Sequence, residues 1–340
     1  MTGDPMLVVG WLVVAHLAAD FVLQSGSIAR AKAASGGAGA RGLLVHGVIV
    51  AACLVPFVFA FGGPGWWVLV AVTASHVLID WIKIVLTRRA EAAVLADARR
   101  RHASAGSAPD GLGPAWTPLP AALFALDQLA HGLVLVGAWA AWLSVAPIEP
   151  GFAARVSEWL TGWDLAVVHE VILRAIVFGA LLVVNVRAGA LFVAVLVGPR
   201  LAVEARPPAA STTAGGPAPA AVDRPSGGWT LRLGPLAGRI EPDAAPPAAG
   251  PPASPGHATP APPARVGEAI GILERLIVVT FVLVRAEAAI GLVIAAKTLA
   301  RFRQLDDRDF AEYYLLGTLA SVAVAAISAF AAVAVLDSLG

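Results

Sequence analysis

His76-Val77-Leu78-Ile79-Asp80-Trp81-Ile82-Lys83 ends an apolar run that starts near Trp66. Residues four apart lie on one face of an α-helix, so His76 and Asp80 are predicted to present an imidazole and a carboxylate side by side. The rest of the run is apolar enough for a lipid environment, where ionisable groups are costly. The pair therefore indicates a polar site inside a membrane helix.

The same spacing of imidazole and carboxylate occurs in two other apolar runs. His16 and Asp20 lie in the first run, and Asp127 and His131 lie in the fourth in reversed order. His46 lies at the start of the second run. Because such groups avoid lipid, we expect them to face one another or a wet cavity between helices.

The composition is typical of a polytopic membrane protein. The 340 residues are 58% hydrophobic and 14% charged, with a mean hydropathy of +0.77. The net charge of +1 is uninformative, because in such proteins the position of the charges matters more than their sum. Cys53 is the single cysteine, which argues against disulfides and a cysteine-based zinc site. Met1 to Pro5 lacks the features of a cleaved signal peptide, so we expect the first run to be retained as an anchor.

The apolar runs predict an all-α fold, a polytopic transmembrane helix bundle. A run of about 18 to 25 residues can cross a bilayer core of about 30 Å. Six runs meet this length: 6–23, 43–61, 66–86, 119–145, 165–184 and 313–336. A further run, 270–299, is interrupted at 285–287 and is predicted to form a hairpin of two helices, roughly 266–285 and 287–303. The total is therefore six to eight membrane helices.

Lysine and arginine residues in the short loops predict the orientation. The loop 62–65 has no lysine or arginine. The loop after the first run carries Arg30, Lys32 and Arg41, and the loop after the third carries Arg88, Arg89, Arg99, Arg100 and Arg101. Because cytoplasmic loops carry an excess of lysine and arginine, both cationic loops are predicted to be cytoplasmic and the N-terminus external. In this interpretation Lys32 only sets the topology.

The chain divides into four predicted regions. They are a transmembrane four-helix His/Asp core (1–146), a fifth span with an interfacial helix (147–200), a disordered Pro/Ala-rich cytoplasmic linker (201–265), and a C-terminal hairpin with the last span (266–340). The linker cannot bury enough apolar surface to offset its ordering entropy. A local strand at Trp229 to Leu233 is the alternative there. Residues 91–101 are predicted to form a separate surface helix, and 103–116 a flexible connector.

The polar residues of the first four runs form the candidate site. On the predicted topology they share one depth near the cytoplasmic side: His16, Asp20, His46, His76, Asp80, Asp127 and His131. Imidazoles and carboxylates on facing helices suit zinc, manganese or iron, and all seven are candidate metal ligands. Asp80 and Asp127 are the candidate catalytic carboxylates, one of them free to act as a general base. In the alternative, the pairs only hydrogen-bond between helices and stabilise the bundle.

Other polar residues lie close to these positions in the sequence. Gln24, Lys83 and Gln128 are expected to support the site, although Lys83 is predicted to extend its ammonium group to the interface rather than to neutralise a carboxylate. Arg174 is predicted to pair with Glu170. The C-terminal part has its own charged set, for which we expect a structural network of ion pairs: Glu268, Glu274, Arg275, Lys297 and Arg301.

Five motifs in order resemble the bacterial domain of unknown function 3307, a membrane family. They are His16-Leu17-Ala18-Ala19-Asp20-Phe21-Val22-Leu23-Gln24, Lys32-Ala33, His46, His76 to Lys83, and Asp127-Gln128-Leu129-Ala130-His131. The stretch 267–321, with Gly271-Ile272-Leu273-Glu274-Arg275 and Glu312-Tyr313-Tyr314-Leu315-Leu316-Gly317-Thr318, is similar to the C-terminal part of longer members. The resemblance implies a bacterial inner-membrane protein and assigns no activity.

Three functions remain open on the sequence. The leading hypothesis is a metal-dependent hydrolase acting on a lipid-linked or phosphorylated substrate at the cytoplasmic face. The same buried groups would also suit an ion-coupled transporter. In the third, the protein is a non-catalytic scaffold that recruits a cytoplasmic partner through its linker. The lipid bilayer is the expected environment, and we expect no nucleic-acid partner and no nucleotide cofactor.

Overall fold

The computed structural model describes residues 3–105, 117–197, 229–233, 236–240 and 264–339. These ranges contain helices α1 (Pro5–Leu17), α2 (Gly26–Ala33), α3 (Gly36–Phe61), α4 (Gly63–Ala105), α5 (Leu119–Ala138), α6 (Pro150–Trp159), α7 (Leu165–Val183), α8 (Gly189–Val197), α9 (Ala264–Leu283), α10 (Ala289–Arg301) and α11 (Arg308–Asp337). They also contain two short strands, β1 (Trp229–Leu233) and β2 (Leu236–Ile240).

Six helical segments of the described chain are long and apolar enough to cross a membrane. These segments are Pro5–Val22, Gly36–Phe61, Gly63–Val94, Leu119–Leu143, Leu165–Val197 and Phe310–Asp337. Each of them overlaps one of the predicted runs. The prediction of an all-α bundle is confirmed, and these helices indicate a multi-pass membrane protein.

Turns of π-helix extend three of these segments within the described residues. They lie at Ala18–Val22 after α1, Trp139–Leu143 after α5 and Val184–Ala188 between α7 and α8. A π turn widens the regular i to i+4 hydrogen-bond ladder and is often found at functional sites. The first of these turns carries Asp20, and the third carries Asn185 and Arg187.

Two segments differ from the prediction because helices continue where we expected breaks. The separate surface helix predicted at 91–101 is the continuation of α4, whose alanine-rich stretch favours helix. Of the predicted connector, 103–105 belong to the same helix and 106–116 lie outside the described residues. The interfacial helix predicted at 188–197 is instead joined to α7 through the π turn, as one continuous helical segment.

The interrupted C-terminal run forms two separate helices, α9 and α10. The chain turns between them at Arg285, whose φ of 61° lies in the left-handed region. Lys297 Nζ on α10 lies 2.5 Å from a carboxylate oxygen of Glu274 on α9. The two helices therefore lie side by side, in agreement with the predicted helical hairpin.

The apolar core of the N-terminal part lies among α1, α3, α4 and α5. Leu12, Val50, Leu54 and Val68 are among its fully or almost fully buried residues. A second buried group joins α7, α9 and α11. Between them, Leu17 and Phe21 contact Phe124 and the helical segment around Val184. The first group forms the frame on which the candidate site is built.

The two described strands lie within the segment 201–265, for which we predicted a linker. In it, β1 and β2 pair in antiparallel fashion, with Trp229 opposite Ile240 and Leu233 opposite Leu236. The strand that we held as the alternative to disorder at Trp229–Leu233 is therefore present. The rest of the linker for which we predicted disorder, up to Pro263, lies outside the described residues.

Candidate functional site

Four helical segments bring the seven predicted side chains into one buried cluster, called the His/Asp cluster below. His16 and Asp20 come from α1 and its π turn, His46 from α3, His76 and Asp80 from α4, and Asp127 and His131 from α5. Five of them are at most 4% exposed: His46, His76, Asp80, Asp127 and His131. The i,i+4 spacing thus places each pair on the inner face of its helix, as the sequence predicted.

Three members of the cluster present atoms at the corners of a small triangle. The Nε2 atoms of His46 and His76 are 3.0 Å apart. Each of these atoms is 3.1 Å from Oδ1 of Asp20. Atoms bound at about 2.1 Å to one ion are about 3.0 Å apart in octahedral and about 3.4 Å apart in tetrahedral geometry. The triangle therefore fits one face of a metal coordination sphere.

A second group of candidate ligands surrounds the same carboxylate. His16 Nε2 is 3.9 Å from Oδ2 of Asp20. The ring centroid of His131 is 4.9 Å from that of His16 and 4.1 Å from that of His76. One ligand atom from each of His16, Asp20 and His131 lies within 4.8 Å of the others. Asp20 is therefore positioned between two sets of potential ligands.

Lys32 is a member of the site that the sequence analysis missed. We predicted that it only sets the topology, but it is 9% exposed and reaches into the cluster from α2. Its Nζ donates to Oδ2 of Asp80 at 2.5 Å and to Oε1 of Gln24 at 2.8 Å. The sequence feature that could have indicated this role is the Lys32-Ala33 motif, one of the five motifs that carry the family resemblance.

The position of Lys32 depends on a close approach of α2 to α3 and α4. A Cβ on Gly42 would lie 2.5 Å from the backbone N of Lys32, so this approach requires glycine in α3. Arg88 on α4 donates from Nη2 to the carbonyl oxygens of Ala33 and Ala34 at 2.9 and 2.6 Å. These contacts hold the C-terminal end of α2 against the bundle.

Lys83 also contacts the cluster, so the prediction that it extends to the interface was wrong. Its Nζ donates to Oδ2 of Asp127 at 2.7 Å and lies 5.3 Å from the ring centroid of Phe124. The carboxylate of a neighbouring helix is within reach, and pairing there neutralises both charges. Gln128 contacts the same region, since its amide donates to Asp127 at 3.0 Å and its oxygen lies 3.3 Å from Nε2 of His16.

Several buried polar atoms of the cluster have no hydrogen-bond partner in the described part of the chain. They are Nδ1 of His46, Oδ1 of Asp127 and both ring nitrogens of His131. Buried polar groups are normally satisfied, because leaving one unpaired costs about 1 to 3 kcal/mol. The imidazole of His131 is 2% exposed, and neither of its nitrogens is hydrogen-bonded in the described part of the chain, so it is suited to bind a ligand.

The charged set of the C-terminal part forms fewer ion pairs than we expected. Glu274 pairs with Lys297 as predicted, but Arg301 contacts the amide oxygen of Gln304 at 3.0 Å. Arg275 donates from Nε to the carbonyl oxygen of Asn185 at 2.6 Å and from Nη1 to Ser321 at 3.2 Å. In α7, the predicted pair of Arg174 and Glu170 is present.

The fold and the cluster together define a class, a multi-pass membrane helix bundle with a buried set of histidines and aspartates. Residues 8–156 match the family model described as Protein of unknown function (DUF3307). The resemblance predicted from the five motifs is confirmed for this part of the chain. The match contains the whole His/Asp cluster together with Lys32 and Lys83.

No curated protein and no solved structure matches the chain. The similarity of 267–321 to longer family members remains a prediction. Because the family description names no activity, the function has to be argued from the geometry of the cluster.

Proposed function

We propose that the His/Asp cluster binds a divalent transition metal ion, zinc, manganese or iron, and hydrolyses a lipid-linked or phosphorylated substrate at the membrane. The observation that carries the proposal is the triangle of Asp20, His46 and His76. Two imidazoles and one carboxylate on one face leave the opposite coordination positions open, which is the arrangement of many catalytic metal sites.

The charges of the site support a divalent cation. The site has three carboxylates and two ammonium groups: Lys32 pairs with Asp80 and Lys83 with Asp127, whereas Asp20 pairs only with imidazoles among the described residues. With neutral imidazoles the cluster carries an excess negative charge, which a bound cation would compensate. The ring nitrogens of His131, unpartnered among the described residues, add further ligand capacity, and Asp20 belongs to both groups of candidate ligands.

The remaining carboxylates have distinct roles in this proposal. A bound metal ion would supply a Lewis acid and an acidified water. Asp80, held by Lys32, lies 3.4 Å from Nε2 of His46, the nitrogen that would bind the metal, so its carboxylate is positioned beside the ion and would receive a proton. Asp127 has the same relation to His131, with 3.8 Å between Oδ1 and Nδ1. All seven cluster residues remain candidate ligands.

A metal inventory tests the proposal. We expect purified wild-type protein to carry about one equivalent of a transition metal, and His76→Ala to lose most of it, because a three-ligand site seldom survives loss of an imidazole. His169→Ala is the matched control, since His169 lies outside the cluster, 3.5 Å from Asp4. Elemental analysis by mass spectrometry gives the readout. Less than about half an equivalent in the wild type, unchanged in His76→Ala, would refute the metal site.

The alternative of a purely structural cluster makes a different prediction from the same contacts. The 3.0 Å separation of the two Nε2 atoms also suits one imidazole donating to the other. In that case the imidazoles and Asp20 form a hydrogen-bonded network between helices. Such a network needs no metal, so the inventory above separates the two.

An ion-coupled carrier is the second candidate function. The observation that favours it is the buried contact Lys32–Asp80 together with the partly buried contact Lys83–Asp127, which can exchange protons or release a carboxylate to a cation. Flux in proteoliposomes separates the two functions. Metal-dependent uptake favours transport, whereas turnover in detergent without a gradient favours an enzyme.

The scaffold hypothesis concerns the linker instead of the cluster. We proposed that residues 206–263 recruit a cytoplasmic protein, and β1 with β2 offers a local structure for such a contact. A deletion of 206–263 that leaves the cellular phenotype unchanged would exclude this role.

A further inference from the structure

An open cavity of about 930 Å³ adjoins the His/Asp cluster. Asp20 and Gln24 line it from the N-terminal part, Arg187 from the third π turn, and Arg275 from α9. Its volume falls in the range of about 300 to 1,000 Å³ that is usual for small-molecule sites. Because Asp20 belongs to both, the cavity extends to the edge of the cluster.

Arg275 is the buried polar anchor of this cavity. It is 3% exposed, and its Nε and Nη1 atoms donate to Asn185 and Ser321. Its Nη2 is buried without a hydrogen-bond partner among the described residues. A Cβ on Gly189 would lie 3.3 Å from Cδ of Arg275, so the backbone packs tightly against the arginine stem. The guanidinium is thus fixed in place with one donor left for a ligand.

The charges around the cavity favour an anion. The described residues that line it include four cations and two carboxylates: Arg187, Arg275, Lys297, Arg301, Asp20 and Glu268. Lys297 is neutralised by Glu274, but Arg187 is exposed and forms no ion pair within the described ranges. The hydroxyl of Tyr314, also on the lining, is buried and unpartnered in the same part of the chain and adds a further donor.

The rest of the lining is apolar and suits a hydrocarbon chain. Phe21, Leu191, Val197 and Ile270 contribute to it. A site that combines fixed cations with such walls matches an amphiphile better than a freely soluble anion.

We propose that this cavity binds a phosphate group carried by an amphiphile, with Arg275 as the buried anchor and Arg187 at the rim. The unpartnered Nη2 of Arg275 donates a charge-assisted hydrogen bond to a phosphate oxygen, and the apolar walls hold the chain. Its role as the substrate pocket of the His/Asp cluster rests on the function proposed above, whereas the phosphate binding itself does not.

Binding of short-chain lipids to the full-length protein in neutral detergent tests this proposal. Native mass spectrometry compares dioctanoyl phosphatidate, dioctanoyl glycerol and inorganic phosphate. We expect phosphatidate to bind about tenfold more tightly than the glycerol lipid, because a charge-assisted hydrogen bond contributes at least that factor. Equal binding of the two lipids would overturn the proposal. Inorganic phosphate that binds as tightly as phosphatidate would keep the phosphate site but overturn the amphiphile.

Two arginine variants and a control locate the site. Arg275→Gln should weaken phosphatidate binding about tenfold and Arg187→Gln about threefold, since the second side chain is exposed. Arg174→Gln, at an exposed arginine of α7 paired with Glu170, should bind like the wild type. Because Arg275 also bonds to Asn185, its variant is at risk of misfolding. Unchanged affinity in Arg187→Gln would then by itself overturn the proposal.

The metal variant separates this inference from the proposed function. His76→Ala should lose the metal and retain phosphatidate binding that depends on Arg275. A wild type without metal that still binds phosphatidate through Arg275 would refute the hydrolase and leave the cavity assignment standing. Loss of phosphatidate binding in His76→Ala together with the metal would overturn Arg275 as the anchor.

Discussion

At the scale of single residues, Asp80 shows how a buried charge is accommodated in this protein. Its carboxylate is 3% exposed and receives the ammonium of Lys32 at 2.5 Å, with Nε2 of His46 at 3.4 Å and of His76 at 3.7 Å. Removing one partner of such a pair costs far more than replacing both, because an unpaired charge stays buried. An ionised Asp80 therefore requires Lys32 as its charged partner.

A double-variant cycle on this pair follows from that argument. Lys32→Met should lower the free energy of unfolding by about 3 to 5 kcal/mol, and adding Asp80→Asn should recover a large part of the loss. Thermal unfolding in detergent measures both. Arg174→Met is the matched control on an exposed pair and should cost less than about 1 kcal/mol. A double variant no more stable than Lys32→Met would contradict the pairing.

The cluster was predictable at this scale only in part. The pairs His16/Asp20, His76/Asp80 and Asp127/His131 follow from i,i+4 spacing, which is a local property of each helix. The partners of Lys32 and Lys83 do not, since Lys32 is 48 residues from Asp80 and Lys83 is 44 residues from Asp127. No spacing rule applies across separate helices, so these two contacts came from the structure.

At the scale of elements, the contact between α2 and α3 positions Lys32. Any residue other than glycine at position 42 would have a Cβ atom. That atom would lie 2.5 Å from a backbone atom of Lys32 and 2.6 Å from one of Ala31. Backbone atoms cannot rotate away as a side chain does, so α2 itself would have to move.

Gly42→Ala is therefore expected to lower stability by about 1 to 3 kcal/mol and to loosen the contact between Lys32 and Asp80. Gly137→Ala in α5 is the matched control, because no atom of the described chain beyond its own helix backbone and chain neighbours lies within 4 Å of its added Cβ. The control should be as stable as the wild type or slightly more, given the higher helix propensity of alanine. Thermal unfolding of both variants in one detergent compares them. Equal stability of the two variants would show that α2 does not pack as described.

At the scale of the whole molecule, the positions of the charges predict an orientation of the six spans. Cations gather after the first and third spans, where Arg30, Arg41, Arg88 and Arg89 remain after Lys32 is assigned to the cluster. We propose that both regions are cytoplasmic, that the protein lies in a bacterial inner membrane, and that the N-terminus is external. In this proposal the pairing of α9 with α10 would return the chain to the side on which α9 begins.

Accessibility tags test this orientation. Tags at the N-terminus and at the C-terminus should report the outside, and a tag within 206–263 should report the cytoplasm, because α11 alone crosses after the hairpin. Modification of whole cells with a membrane-impermeant reagent gives the readout. A C-terminal tag on the same side as the tag in 206–263 would refute the arrangement of α9, α10 and α11.

The sequence by itself determined the class of protein, the six spans and the histidines and aspartates that face inward. Hydropathy and i,i+4 spacing report these properties because both depend on residues close together in the chain. Only the tertiary structure showed that Lys32 and Lys83 pair with carboxylates of the cluster and that Asp20, His46 and His76 form one triangle. It also showed that Nη2 of Arg275 has no hydrogen-bond partner among the described residues. These features depend on how helices rotate and cross, and the chain encodes that geometry through many contacts at once.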